Sequence, residues 1–293
     1  TKDQYIQGKR DLVPLIERFK DYKDLEMVID FVADDNPATQ LRPHSSDPID
    51  YLPTKKFQIK VDSAKVMDMN VVKPEDADKI VDKIRWKIPD NYLGKNQLMI
   101  LDLLAHSDWE RPVYFTSLNH EHTMNLDEYF QHSGFAYRFI PIKTPGSRGN
   151  YGRIDTDELY DKFMNKFRWG NFSKPGVNVD EYARRTVMII RIRNSFARLA
   201  KELVKENKKD SAIAVVDRCF EILPHEKMPF NYNVIPLIEA YYEAEAFEKA
   251  NKFNRKLADL TIEEINYFLS LKGDFFKSIE SELQRDMAIH QEL

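Results

Sequence analysis

The spacing of apolar and polar residues separates the chain into two regions of different character. In the first region, apolar residues alternate with polar ones in KKFQIKVD, RWKIP, RPVYFTSL and FAYRFIPIK. This alternation predicts β-strands, because successive side chains of a strand point to opposite faces. Between them, helical spacing runs through residues 3–35, with a break at Pro14, and through VKPEDADKIVDKI, GKNQLMILDLLAHSDW and LDEYFQHS. Residues 1–145 are therefore predicted to form a mixed α/β unit.

The pattern becomes helical in the rest of the chain. The glycine-containing segment TPGSRGNYGR marks the change, an aromatic-rich connecting segment is predicted over residues 146–180, and a helical domain over residues 181–293. A repeat of 38 residues aligns four positions of one predicted helix pair with four of the next: Ala200, Leu203, Ala212 and Cys219 with Ile238, Tyr241, Ala250 and Leu257. The predicted fold class is α+β, a mixed α/β unit followed by an all-α, tetratricopeptide-like helical-hairpin region.

The composition is that of an ordinary globular chain and excludes several classes of protein. With 293 residues, 42% of them hydrophobic, the chain can bury a sizeable core. Its net charge of -4 gives no basic field for nucleic acid, and no apolar run approaches a membrane span. The single Cys219 excludes an internal disulfide and a cysteine-based zinc site. Because the chain starts at Thr1, we expect an excised or processed piece.

The histidines His120 and His122 give the sharpest indication of a metal site. On a strand both imidazoles would point the same way and reach one ion, with His106 or His132 as a third ligand. However, the polar segment NHEHTMN follows the predicted end of a strand, which favours a solvated loop. We predict no metal ion, and no cofactor either, because no phosphate-binding or dinucleotide motif occurs.

Asp102, Asp108 and Glu110 raise the alternative of a carboxylate pair for acid–base catalysis. The structural interpretation is that HSDW before ERP ends a helix in a turn. On this interpretation Asp102 caps the helix, pairs with Arg111 or faces water. Cys219 lies at a predicted helix-packing position, so we interpret it as a small core residue and not as a nucleophile. No residue is predicted to be catalytic on these grounds.

The segment from Arg184 to Lys209 carries nine basic residues against two acidic ones, in a chain that is acidic overall. Four of them recur every seven residues and form one stripe on a helix: Arg184, Arg191, Arg198 and Lys205. Such a stripe suits acidic polypeptide, an anionic lipid surface or phosphate groups, whereas the alternative is a solvated face paired with acids of the next hairpin. Together with nearby aromatic residues, the candidate binding residues are Trp169, Tyr182, Arg184, Arg185, Arg191 and Arg198.

Seven motifs follow one another along the chain: YLPTKKFQIKVD, PEDADKIVDKI, LMILDLLAHSDWERPVYF, FAYRFIPIK, RWGNFSKPGV, RNSFARLAKELV and KKDSAIAVVDRCFEILP. Over nearly the whole chain they resemble the soluble C-terminal part of a family of large bacterial multi-pass membrane proteins. That family, long described as a domain of unknown function, is similar to protein O-mannosyltransferases. The resemblance implies a membrane-embedded N-terminal portion as partner and a periplasmic, extracytoplasmic location tethered to the inner membrane. It assigns no catalytic residue to this part.

Three alternative functions are therefore considered, and they are given in decreasing order of preference. The first is a non-catalytic accessory domain of a glycosyltransferase-like membrane protein, which positions acceptor polypeptide or braces the membrane half. The second is a sugar- or lipid-phosphate-binding enzyme domain that uses Asp102, Asp108 and the neighbouring histidines, and it requires a pocket that contains those groups. The third is a purely structural brace without a ligand.

Overall fold

A computed structural model of the protein describes residues 11–42, 47–146, 152–180 and 187–293. The chain divides into two compact units, Thr1–Arg153 and Ile154–Leu293, and each has a hydrophobic core made of its own residues. The strands lie in the chain up to Ile154, and the regular structure of the described chain beyond it is helical. This order confirms the predicted fold class, a strand-containing N-terminal region followed by a helical C-terminal region.

The strands are β1 (Leu12–Pro14), β2 (Lys23–Asp24), β3 (Gln40–Leu41), β4 (Ile49–Asp50), β5 (Lys56–Lys60), β6 (Lys83–Lys87), β7 (Tyr92–Gly94), β8 (Tyr114–Phe115), β9 (Phe130–His132), β10 (Tyr137–Phe139) and β11 (Arg153–Ile154). The α-helices are α1 (Leu25–Ala33), α2 (Ser63–Asp68), α3 (Lys95–His106), α4 (His120–Thr123), α5 (Thr156–Asp161), α6 (Val187–Lys205), α7 (Lys209–Ile222), α8 (Ile235–Glu243), α9 (Phe247–Ser270), α10 (Asp274–Ser278) and α11 (Glu280–Glu292). Short 3-10 turns span Pro37–Thr39, Pro74–Lys79, Asp127–Tyr129 and Tyr232–Val234, and a π-helical turn spans Lys162–Lys166.

The three-stranded sheet of the first unit, in the order β2-β5-β6, follows the alternation seen in the sequence. Strand β2 runs parallel to β5, and β5 is antiparallel to β6 with Phe57 opposite Trp86. In β6 the side chains of Ile84 and Trp86 are buried, whereas the three residues that alternate with them are exposed. The rings of Phe57 and Trp86 stack with centroids 5.4 Å apart, which ties the sheet to the core.

A four-stranded sheet in the order β11-β9-β10-β8 holds a second group of aromatic side chains. Phe130 of β9 lies opposite Phe139 of β10, and its ring also meets Phe115 edge-on at 4.8 Å. Gly152 passes close to this strand with φ +75°, and a Cβ atom there would lie 2.8 Å from the carbonyl oxygen of Phe130. The close approach of the chain therefore requires glycine.

Three helix predictions in the first region are wrong over part of their length. Residues 12–14 form β1 and pair with β7, Ile16 and Arg18 donate to the carbonyl oxygens of Leu52 and Pro53, and helix α1 begins only at Leu25. VKPEDADKIVDKI forms a 3-10 turn and then enters β6 at Lys83, and LDEYFQHS forms a 3-10 turn and then β9. In each case pairing with another strand, distant for β1 and β6 and in a hairpin with β10 for β9, overrides the local helical spacing.

The helical unit contains two consecutive helix pairs that repeat every 38 residues, as the sequence predicts. Helix α6 ends at Lys205 and α8 at Glu243, while α7 begins at Lys209 and α9 at Phe247. The aligned positions are all buried: Ala200, Leu203, Ala212, Cys219, Ile238, Tyr241, Ala250 and Leu257. The more specific description of these pairs as tetratricopeptide-like stays a prediction.

The turn inside each pair also repeats. Asn207 and Glu245 both have left-handed backbone conformations, with φ 61° and 63°. The next amide after each donates a hydrogen bond to the carbonyl oxygen of Leu203 or Tyr241, at 2.8 and 2.9 Å. These are the hydrogen bonds of a Schellman motif, which ends a helix by satisfying its last carbonyl groups. Along the described residues, none of the helices is both long and apolar enough to cross a membrane.

Candidate functional site

The chain turns sharply where helix α3 ends, within the segment HSDWERP. Asp108 and Trp109 both have left-handed backbone conformations, with φ 44° and 61°, which cost about 1–2 kcal/mol for each non-glycine residue. The Trp109 side chain is buried and its ring stacks on Phe139, with centroids 5.6 Å apart and planes 9° apart. This packing opposes the cost and fixes the turn beside β10. Residues other than glycine in the left-handed conformation cluster at functional sites.

A small pocket with room for about one water molecule lies at this turn. Its lining includes two arginines together with polar and aromatic residues of the turn and of β10: Ser107, Trp109, Arg111, Pro112, Arg138 and Phe139. Arg138 lies on β10 opposite Tyr114 of β8, and Arg111 lies three residues before Tyr114 in the chain. The pairing of these two strands thus brings both guanidinium groups to one cavity.

Neither arginine has an acidic partner among the described residues. Arg111 is exposed and forms no ion pair in that part of the chain. The Nε of Arg138 is buried without a hydrogen-bond partner there, and its Nη2 donates to the carbonyl oxygen of Asn70 at 3.4 Å. A buried donor without an acceptor is costly, so Arg138 carries a desolvation cost at this turn.

The carboxylates of the turn contact Lys65 and not the two arginines. Asp108 and Glu110 both contact the ammonium group of Lys65, Glu110 at 3.4 Å. The hydrogen bonds that Lys65 donates to Asp108 and to Glu110 raise the pKa of Lys65. The two carboxylates of the enzyme alternative are therefore engaged at the surface, because Asp102 in turn lies 3.0 Å from Nδ1 of His106. The backbone carbonyl of Asp102 also accepts a hydrogen bond from this ring, which raises the pKa of His106.

The histidines of this region stand on different elements. His120 and His122 lie on the short helix α4 and not on a strand, so residues two apart point to different sides. His120 lies 3.6 Å from Asp90, whereas His132 is buried in β9 and stacks on Tyr137 at 5.0 Å. In the chain as described, no group of three or more His, Cys, Asp and Glu side chains could hold a metal ion.

The candidate binding residues of the helical unit are only partly within the described residues, since Tyr182, Arg184 and Arg185 lie outside them. Trp169 is half-buried, and its Nε1 donates to the carbonyl oxygen of Phe163 at 3.1 Å. Its ring also packs on Phe196 at 5.3 Å, so Trp169 joins the core of this unit at its edge.

The basic stripe differs along its length. Arg191 is exposed and Arg198 is half-buried. Lys205 contacts Glu202 of the same helix at 2.7 Å. Beside the stripe, Lys201 contacts Glu239 of α8 at 2.5 Å. Acidic residues thus pair with Lys201 and Lys205 of this basic segment.

The sequence did not single out Arg193, which is only 2% exposed. Its guanidinium group donates to the carbonyl oxygens of Met228 at 2.7 Å and Pro229 at 3.3 Å, and burial lowers the pKa of Arg193. The available signal was its spacing, since it lies three residues before the core residue Phe196. Nearby Cys219 is buried as predicted, and burial raises the pKa of its thiol to about 12.

Comparison with known proteins identifies the first unit. The family model of TMEM260-associated domain 2 matches residues 1–158, more than half of the 293 residues. This chain belongs to the TMEM260-associated domain 2 family. The family is a domain of unknown function linked to a membrane protein family. No curated protein and no solved structure matches the chain.

The match to TMEM260-associated domain 2 ends just beyond Arg153, where the first unit ends. The turn at Trp109, the pocket and both of its arginines thus lie inside the family domain. The repeated helix pairs lie outside the matched residues.

Proposed function

We propose that this chain is a non-catalytic accessory domain of a membrane protein similar to protein O-mannosyltransferases. It lies on the extracytoplasmic, periplasmic side of the inner membrane, next to the membrane-embedded portion of the same protein. Its helical unit positions acceptor polypeptide or braces the membrane half. Membership of TMEM260-associated domain 2 supports the link to a membrane protein, and the order of the seven motifs supports a glycosyltransferase-like parent.

The observation that carries this proposal is the exposure of the acid–base candidates. The side chain of Asp102 is 59% exposed beside His106, and that of Asp108 is 65% exposed beside Lys65. A general acid or base acts within hydrogen-bond reach of its substrate, in a site that excludes water. Solvated carboxylates paired with their neighbours are better suited to holding surface turns together. This exposure favours an accessory role over an enzymatic one.

The repeated helix pairs support the polypeptide-binding part of the proposal. Stacked helical hairpins present an extended surface on which a peptide without regular structure can lie. Arg191 and Arg198, seven residues apart on α6, lie on the same side of that helix and carry positive charge there. An unfolded segment rich in Asp and Glu therefore has the complementary charge.

The test is a titration of the chain with a fluorescent, unfolded acidic peptide, with a basic peptide of equal length as the second ligand. We expect the acidic peptide to bind more weakly as salt is added, because exposed charges are screened. The double substitution Arg191→Gln and Arg198→Gln should raise the Kd at least about fivefold, since each replaced charge contributes roughly 0.5–1 kcal/mol. Lys205→Gln is the comparison variant and should raise the Kd by less, because it removes one charge of the same stripe instead of two.

Equal binding of both peptides, or an unchanged Kd in the double variant, would count against the helical unit as a polypeptide-binding surface. A separate measurement addresses catalysis. Asp102→Asn and Asp108→Asn in the full-length parent protein should leave glycosyl transfer unchanged, and a loss of transfer with intact folding would favour the enzyme alternative.

A further inference from the structure

We propose that Glu264 of helix α9 and Asp286 of helix α11 share one proton, and that this proton stabilises the packing of α11 on α9 in a pH-dependent way. The last helix is held firmly in mildly acidic solution and is loosened as the pH rises. The carboxyl pair lies at the C-terminal end of the helical unit and includes none of the residues assigned to polypeptide binding, so the inference does not rest on the proposed function.

The first argument is the position of the two carboxyl groups in the seam between α9 and α11. Helix α11 packs on α9, and its buried residues Leu283, Asp286 and Ile289 recur every three positions. On α9, Glu264 follows the buried Thr261 by three residues and lies on the same side of that helix. An acidic residue thus stands in the buried stripe of α11, and Glu264 reaches it from α9.

The second argument is the hydrogen-bond chemistry of the pair. Asp286 is only 2% exposed, and its Oδ1 accepts from Nε of Arg285 at 3.2 Å. Its Oδ2 is buried and meets no ordinary donor in the described part of the chain, although the side chain of Glu264 is in hydrogen-bond contact with Asp286. Two carboxylates cannot form a hydrogen bond with each other, because neither carries a donor hydrogen. One proton between them supplies the donor that the buried oxygen needs.

The charges on the two helices decide how tightly this proton is held. Burial is the main cause that raises the pKa of Glu264, and the negative charge of Asp286 and its hydrogen bond with Glu264 add to the effect. Glu263 acts in the same direction, whereas the positive charge of Arg285 opposes it. The folded chain therefore holds the proton more tightly than the unfolded chain. Its contribution to stability is complete below the ordinary glutamate pKa of about 4.3 and is lost as the pH rises through the raised pKa.

Four further ionisable groups belong to the elements beside the seam. In α10, which also packs on α11, Lys277 and Asp274 contact each other at 3.2 Å. Glu282 and His290 lie four residues before and after Asp286 on α11, on the same side of the helix. A hydrogen bond from a neighbouring serine lowers the pKa of Glu282, so its charge is constant over the range in which the carboxyl pair titrates. Histidine titrates near neutral pH, so His290 requires a control of its own.

The experiment is hydrogen exchange of the backbone amides of the full chain at pH 5 and pH 8, read by mass spectrometry. Protection factors remove the intrinsic pH dependence of exchange, and helix α7 serves as the internal reference. We expect the protection of α11 to fall at least about fivefold relative to that of α7 between the two pH values, because partly exposed charges interact on this scale. Glu264→Gln should abolish the fall, since its amide donates to Asp286 at every pH.

The matched controls are Glu263→Gln and His290→Gln, and both should retain the fall. The first makes the same chemical change at the adjacent exposed position, and the second removes the histidine that titrates nearby. Glu264 is itself exposed, so its replacement by Gln leaves the packing of the core intact. Equal protection of α11 at both pH values in the unchanged chain, the same fall in Glu264→Gln, or loss of the fall in either control would overturn the proposal.

Discussion

At the scale of single residues, Gly152 illustrates a position that no other amino acid can occupy. Its φ of +75° disfavours a side chain, and a Cβ atom would lie 2.8 Å from the carbonyl oxygen of Phe130. We expect Gly152→Ala to lower the free energy of unfolding of the first unit by more than about 2 kcal/mol, measured by chemical denaturation. Gly170→Ala, also at positive φ but with nothing within 4 Å, should cost about 1 kcal/mol. Equal losses would contradict the steric argument.

Asp76 is a second residue whose environment determines its chemistry. It is 5% exposed, and its carboxylate meets Lys79 at 2.5 Å and Arg153 at 2.6 Å. Burial by itself would raise the pKa of Asp76, but the hydrogen bonds from these two cations outweigh burial and lower it. A carboxyl group with a lowered pKa stabilises the fold above its ordinary pKa of about 3.9, and this contribution is lost as the pH falls through the folded pKa.

We therefore expect Asp76→Asn to lower the stability of the first unit by about 2 kcal/mol at pH 7, because two cations lose a charged acceptor. Denaturation curves at several pH values should show the difference from the unchanged protein shrinking below a pH of about 3.9. Asp78→Asn, at a nearby exposed position, should have little effect at any pH. A difference that persists unchanged at pH 2 would rule out this electrostatic explanation.

At the scale of elements, the two helix pairs end their first helices with the same turn but with different residues. Asn207 tolerates its φ of 61°, because a short polar side chain accepts the left-handed conformation, whereas Glu245 at 63° pays the steric cost of a long one. We expect Glu245→Gly to raise the free energy of unfolding of the helical unit by up to about 1 kcal/mol.

Asn207→Gly is the matched comparison and should give a smaller gain. Glu243→Gly, inside the last turn of α8, should instead lose about 1 kcal/mol, because glycine lowers helix propensity. Thermal denaturation followed by circular dichroism measures all three. A loss of stability in Glu245→Gly would show that the left-handed conformation does not control this turn.

At the scale of the whole molecule, each unit has its own core, and Cys219 reports on one of them. The thiol is 1% exposed and its pKa is raised to about 12 by burial, so a thiol reagent at pH 8 reacts only after the helical unit opens. Leu203→Ala removes a core side chain of this unit and should speed labelling about a hundredfold, as a loss of about 2.7 kcal/mol implies.

Leu101→Ala is the counterpart in the core of the first unit and should leave the labelling rate of Cys219 nearly unchanged. Folding of this variant is checked by circular dichroism. Equal acceleration by both substitutions would mean that the two cores open together.

The sequence by itself determined the order of the regions, the strands β5 and β10, helix α3 and the 38-residue repeat, because each depends on a periodicity that neighbouring residues carry. Buried Cys219 was predicted from the same repeat. The domain boundaries at residues 145 and 180 and the candidate binding residues stay predictions.

Tertiary structure alone decided the rest. Residues 12–14, Lys83 and Ile84 form strands against the local helical spacing, because β7 and β5 pair with them. The pocket exists because the pairing of β8 with β10 brings Arg138 to the turn that carries Arg111, while Lys65 draws the acids away. The stacking of Trp109 on Phe139 offsets the conformational cost of positive φ at Asp108 and Trp109. Such contacts join residues whose separation along the chain follows no period, so local patterns cannot reveal them.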